Sequence, residues 1–175
     1  MTNAASRSVH ASAVLVENRA VLIRGPSGAG KSRLAFDLIL AGRSGQIPPA
    51  VLVGDDRVHL QLSNGQLVVR PARELAGLIE IRGLGIRCCD FTEEAVVDLV
   101  VDLAAADAER LPPPDSLKTH ICGVEIPRIP VGAGYAALPL VVAALTMTAS
   151  SSSSRPSGDC SKGIGNHISP IIATD

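Results

Sequence analysis

The chain has 175 residues, a formal net charge of -1 at pH 7, 46% hydrophobic residues and only 2% aromatic residues. The length predicts one domain, whose core must be built from Val, Leu, Ile and Ala because Trp is absent. A near-neutral charge with so few aromatic side chains argues against nucleic-acid binding, which uses basic surfaces and base stacking.

The predicted elements follow a polar lead-in at residues 1–9, which we expect to be flexible. Apolar runs and turn signals predict strands at residues 13–16, 19–23, 50–53, 58–62, 67–70 and 125–129, with an Asn-Gly hairpin turn at residues 64–65. Helical spacing of apolar residues predicts a helix that ends near residue 41 and a last helix at residues 136–145. Two apolar segments, at residues 78–81 and 96–103, lie between these two predicted helices. We place the catalytic domain at residues 10–147 and expect a disordered, Ser-rich tail at residues 148–175.

Membrane insertion and secretion are disfavoured by the same sequence. No apolar run is long enough to span a bilayer, and the N-terminus lacks a signal-peptide pattern. The four cysteines have neither the spacing of a zinc site nor that of a disulfide scaffold. We therefore expect a soluble, cytoplasmic protein with reduced thiols.

A phosphate-binding loop is the strongest motif in the chain. The pattern G-x-x-x-x-G-K-[ST] is matched at every fixed position by Gly25, Pro26, Ser27, Gly28, Ala29, Gly30, Lys31 and Ser32. The glycines let backbone N–H groups point at phosphate oxygens, Lys31 would lie between the β- and γ-phosphates, and Ser32 would bind Mg²⁺. The alternative is a glycine-rich turn that only connects strand to helix; it is disfavoured because motif and context agree. The motif predicts nucleoside triphosphate binding.

Carboxylates follow the loop at two places. Asp55 and Asp56 come directly after a predicted strand, where a nucleotide-binding sheet places acids beside Mg²⁺ and the acceptor hydroxyl. A solvated Asp-Asp turn is the alternative. Glu80 stands between Ile79 and Ile81, and patterning alone favours an exposed residue on an edge strand. His10 alone would be a surface residue.

These motifs resemble those of the bacterial HPr kinase/phosphorylase family, whose catalytic domain uses ATP to phosphorylate a serine of the phosphocarrier protein HPr. The matching stretches are His10, residues 25–32, Asp55-Asp56-Arg57-Val58, residues 74–86 with Ile-Glu-Ile-Arg-Gly-Leu-Gly-Ile at their end, and, more loosely, Glu109-Arg110-Leu111. The resemblance covers approximately residues 10–145, and the family's usual N-terminal domain has no counterpart, which predicts a short form.

The resemblance implies a fold and a set of roles. The fold is an α/β phosphate-loop nucleotide-binding fold of the HPr kinase/phosphoenolpyruvate carboxykinase-like type, with a mixed β-sheet and few flanking helices. Asp56 would take the proton of the acceptor serine, supported by Asp55 and His10, and Arg110 would steady the transferring group. Lys31 would hold the phosphates. The Mg²⁺ ligands would be Ser32, Glu80 and Asp55. Family members commonly form hexamers.

The chain departs from the family in one loop. The family usually carries Arg-Pro-Gly-Arg-Asn before its last helix, linked to the reverse reaction, whereas this chain has Gly132-Ala133-Gly134-Tyr135-Ala136. Glycine cannot replace an arginine that grips a phosphate. We therefore expect weak or absent phosphorolysis.

The leading interpretation is an ATP- and Mg²⁺-dependent serine protein kinase that acts on HPr or a nitrogen-branch paralogue, docking near the Asp55–Asp56 turn and the loop at residues 132–135. Two alternatives stay open. One is a small-molecule kinase, although no Arg-rich lid is visible. The other is a regulatory module that binds ATP without transferring phosphate.

Overall fold

The computed structural model describes residues 6–147 of the chain. In chain order the elements are β1 (Arg7–Val9), β2 (Ser12–Val16), β3 (Arg19–Arg24), α1 (Lys31–Arg43), β4 (Ala50–Gly54), β5 (Val58–Ser63), β6 (Gln66–Pro71), β7 (Leu78–Ile81), β8 (Gly85–Cys88), β9 (Ala95–Leu103), β10 (Lys118–Ile121), β11 (Val124–Val131) and α2 (Ala137–Thr146). Short 3₁₀ turns lie at Arg73–Leu75 and Pro114–Leu117.

Nine of these strands form one mixed sheet within residues 6–147. The main path runs β1-β5-β6-β9-β3-β2-β4, and β11 pairs with both β9 and β10. β9 is parallel to β3 and to β11 and antiparallel to β6, whereas β2 is antiparallel to its neighbours β3 and β4. The carboxyl ends of β3, β4, β9 and β11 therefore lie at one edge of the sheet, together with the start of β2. β7 and β8 form a separate hairpin.

Both faces of the sheet are buried around β3, which explains its unbroken apolar sequence. Val21 and Ile23 face the cluster that contains α1, whereas Ala20 and Leu22 face a second cluster on the opposite side. The helix α1 contributes its stripe of Leu34, Ala35, Leu38 and Ile39 to the first cluster. This packing fixes the start of α1 directly beyond the end of β3.

The expected fold class is confirmed, a mixed sheet with few helices, but several boundaries differ from the sequence predictions. Residues Arg7–Val9 are not a flexible lead-in, because they pair with Val58–Leu60 as β1. Three residues are too few for a recognisable periodicity, and their pairing with a distant strand defines them. The predicted tail at residues 148–175 lies outside the described residues. Neither helix in the described part of the chain is long and apolar enough to cross a membrane.

Candidate active site

The predicted phosphate loop lies between the end of β3 at Arg24 and the start of α1 at Lys31. Gly25, Gly28 and Gly30 have φ angles of 146°, 78° and 99°, which residues with a side chain rarely adopt. Gly30 is the N-cap residue of α1, and within residues 6–147 no side-chain hydrogen bond caps the first N–H groups of the helix. The loop and the helix start together offer a binding site for an anion.

Lys31 is the buried cation of this loop. Its side chain is only 6% exposed, and its Nζ donates hydrogen bonds of 3.0 Å to the carbonyl oxygens of Gly25 and Pro26. Burial lowers the pKa of Lys31 below its ordinary value, and the carboxylates of Asp56 and Asp55 partly oppose that shift. A phosphate in the loop would give this ammonium a charged acceptor in place of two neutral carbonyls.

The two adjacent carboxylates after β4 have opposite environments. Asp55 is 2% exposed, and its Oδ1 accepts a 2.5 Å hydrogen bond from the hydroxyl of Ser12. Its Oδ2 accepts a 3.1 Å bond from the backbone N–H of Glu80. Asp55 thus connects the start of β2, the end of β4 and β7, and its two bonds make it an anchor for the turn.

Asp56 instead points its carboxylate toward His10. The Nε2 of His10 lies 3.2 Å from Oδ1 of Asp56, and the two side chains are 51% and 64% exposed. Asp56 has a φ of 63°, the left-handed region that residues other than glycine adopt rarely and that is frequent at functional sites. The buried neighbour holds this strained turn while the exposed acid and the histidine stay accessible.

A cleft of about 560 Å³ brings most of the predicted site residues together. Its lining comprises His10, Ser27, Gly28, Gly30, Lys31, Ser32, Arg33, Phe36, Asp37, Asp56, Glu80, Ile81 and Arg82. Asp55 lies behind this surface. Arg110 is exposed on the loop after β9 and does not line the cleft.

The residues of the cleft fit a magnesium-nucleotide better than a metal ion alone. No group of three or more His, Cys, Asp or Glu side chains within residues 6–147 could hold a metal. Mg²⁺ commonly takes one or two protein ligands and completes its shell with phosphate oxygens and water. Ser32 and Glu80 line the cleft and are suited to that arrangement, whereas Asp55 does not line it.

Sequence reasoning missed two groups of residues at this edge of the sheet. Ser12 is a fully buried polar residue, and its only signal is a hydroxyl within an apolar strand. The second group is an ion cluster of Arg24, Asp102 and Arg128, in which Asp102 accepts hydrogen bonds from both arginines. No spacing motif relates these three residues, because the register of three strands brings them together.

Comparison with known proteins identifies the family and agrees with the fold. The family described as "HPr Serine kinase C-terminal domain" matches residues 2–158. Similar curated proteins are HPr kinase/phosphorylase of Mycoplasma mycoides subsp. mycoides SC, 34% identical over 152 residues, and HPr kinase/phosphorylase of Enterococcus faecalis, 38% identical over 157 residues. These alignments cover 78% and 81% of this chain but 46% and 48% of the relatives, so the chain spans about half their length.

A solved structure is similar in fold to this chain. The Hpr(Ser) kinase/phosphatase from Coxiella burnetii has a TM-score of 0.63 to this chain, with 26% sequence identity. The superposition covers 79% of this chain and 87% of that one. With most of the sequence matched by the family and the same fold in a solved relative, the chain belongs to the HPr kinase family through its C-terminal domain.

Proposed function

We propose that the chain is an ATP- and Mg²⁺-dependent serine protein kinase whose acceptor is HPr or a related phosphocarrier. The observation that carries this proposal is that the phosphate loop and the His10–Asp56 pair open onto one cleft. A protein that only bound nucleotide would not need a carboxylate and a histidine there. The names of the relatives support the acceptor, since they are HPr kinase/phosphorylases.

The transfer requires deprotonation of an alcohol beside a bound triphosphate. Asp56 is accessible from the cleft and would accept the proton of the acceptor serine, and His10 would hold the carboxylate in position through its 3.2 Å contact. Lys31 would bind the phosphate oxygens as the terminal group leaves. A base in this position contributes roughly 10²- to 10⁴-fold to such reactions.

The remaining predicted residues would support these steps. Ser32 and Glu80 would hold Mg²⁺, which neutralises charge on the phosphate oxygens when it is bound. Asp55 would fix the turn through Ser12 and the backbone of Glu80 rather than serve as a direct metal ligand. Arg110 lies on the loop after β9, outside the cleft lining, and by the chain's resemblance to the family would act on the transferring group.

We further propose that the reverse reaction is weak. The loop between β11 and α2 holds no arginine, and Tyr135 in that loop is 78% exposed. A phosphoserine with incoming phosphate carries several negative charges, which a loop of small and aromatic residues does not neutralise. Transfer from ATP would not depend on that loop, because positively charged side chains line the cleft itself.

Incubation of the protein with γ-labelled ATP, Mg²⁺ and HPr tests the proposal. We expect label on a serine of HPr, and none on an HPr variant whose acceptor serine is replaced by alanine. Tight ATP binding with no label on any protein acceptor would favour the nucleotide-sensing module. Label on a small alcohol but not on HPr would favour a small-molecule kinase.

A further inference from the structure

An ion cluster joins three parallel strands, β3, β9 and β11, near the phosphate loop. Arg24 ends β3, and its Nε and Nη2 each donate a 2.7 Å hydrogen bond to the carboxylate of Asp102 in β9. Arg128 in β11 donates through Nε to the same carboxylate at 2.5 Å. Burial raises the pKa of Asp102, but the hydrogen bonds from Arg24 and Arg128 outweigh it, so the pKa is lowered. The carboxylate stays charged and bridges the two arginines.

The same Arg128 also holds the loop at residues 104–117. Its Nη1 and Nη2 donate hydrogen bonds of 2.6 Å and 2.9 Å to the carboxylate of Asp107, near the start of that loop. Its Nη1 also donates a 3.0 Å bond to the carbonyl oxygen of Ser116, near the end. One guanidinium therefore fixes both ends of the segment that carries Arg110.

The start of this loop also lies close to the phosphate loop. A Cβ added to Gly25 would lie 2.9 Å from the carbonyl oxygen and 3.0 Å from the Cβ of Leu103, the last residue of β9. Arg24 is the residue immediately before Gly25. The cluster thus joins the residue immediately before the phosphate loop, Arg24, to the loop that carries Arg110.

We propose that Arg128 is a positioning residue that holds the phosphate loop, through Asp102 and Arg24, and the Arg110 loop, through Asp107 and Ser116, at a fixed separation. The inference rests on the proposed function, because it takes Arg110 to act on the transferring phosphate. A guanidinium suits this task, since its fork can bind two carboxylates and a carbonyl at once, which an ammonium does not do with the same geometry.

The alternative is an ion cluster that only stabilises the sheet edge. The positioning role and the purely structural role predict different results in one experiment. A positioning residue acts through Arg110, so removing its contact has no further effect on phosphate transfer when Arg110 is already absent. Asp107 offers a selective test, because its side chain is half exposed and its removal leaves the contact between Asp102 and Arg24 in place.

The experiment is a double-mutant cycle of Asp107→Ala and Arg110→Ala, with label transfer from ATP to HPr as the readout. We expect Asp107→Ala alone to lower kcat by about tenfold with little change in the KM for ATP, as misplacement of a positioned group does. In the Arg110→Ala background we expect no further loss. The matched control is Asp115→Ala, a 95% exposed acid at the end of the same loop that contacts Lys118 and not Arg128.

A second readout does not depend on activity. Trypsin cleavage after Arg110, followed by mass spectrometry, reports how firmly the loop is held, and we expect Asp107→Ala but not Asp115→Ala to accelerate it. A normal kcat for Asp107→Ala, or an equal loss in both backgrounds, would overturn the inference. If the wild-type protein transfers no phosphate, the proposed function fails, and unchanged cleavage in Asp107→Ala would then refute the anchoring as well.

Discussion

Replacement of Ser12 by alanine tests how the acidic turn is held. The hydroxyl of Ser12 is fully buried and donates a 2.5 Å hydrogen bond to Asp55, which is itself 2% exposed. Water cannot replace the lost donor at so buried a site. The carboxylate would keep only the bond from the backbone N–H of Glu80.

The expected size of the effect follows from the charge and burial of the acceptor. A hydrogen bond to a charged group contributes about 1.5 to 3 kcal/mol to stability, and leaving a buried group without its partner costs a similar amount. We therefore expect the free energy of unfolding to fall by about 2 to 3 kcal/mol. For a domain of this size that corresponds to a fall in Tm of roughly 4 to 12 °C. We also expect a lower kcat, because Asp56 follows Asp55 directly.

Urea unfolding of Ser12→Ala gives the free energy of unfolding, with Ser8→Ala as the matched control on the exposed strand β1. The control should change stability by less than about 0.5 kcal/mol, as exposed surface substitutions usually do. Equal stabilities of the two variants would refute the reasoning, since they would show that the buried hydroxyl does not support Asp55.

Three further predictions concern the same edge of the sheet. Gly25→Ala should abolish ATP binding, because its φ of 146° and a contact of 2.9 Å with a backbone oxygen leave no room for a methyl group; Gly45→Ala, with open space around it, should bind ATP normally. Asp102→Asn should lower the free energy of unfolding by about 2 kcal/mol at neutral pH. Because the pKa of Asp102 is lowered by folding, that contribution is present above its unfolded pKa and is lost as pH falls through the lower folded pKa, so the stability difference between variant and wild type should narrow as pH falls from 7 to 3. Glu80→Gln should raise the Mg²⁺ concentration required for half-maximal transfer several-fold.

The sequence predicted the parts of the site whose chemistry is local. The phosphate loop is a continuous motif between a strand and a helix, and both elements are present at Arg19–Arg24 and Lys31–Arg43. The pair Asp55–Asp56 could also be identified from the sequence. The sequence did not show which of the two acids is buried, because that depends on the left-handed turn at Asp56 and on a serine 43 positions away from Asp55.

Contacts between distant segments account for what the sequence did not show. β8 and β10 are four-residue strands, each defined by one antiparallel partner, and their residues are mostly exposed and carry little apolar pattern. The contact of Arg24 with Asp102 spans 78 positions and depends on the parallel register of β3 and β9. Such contacts follow from strand order, which short motifs do not encode.

Replacement of Asp56 by asparagine tests the central claim most directly. Asparagine keeps the size of the side chain but cannot accept the proton of an alcohol, and it leaves the phosphate loop intact. We predict that kcat for transfer of label from ATP to HPr falls by at least about 10²-fold while the dissociation constant for ATP is unchanged. A variant that transfers phosphate at the wild-type rate would contradict the account.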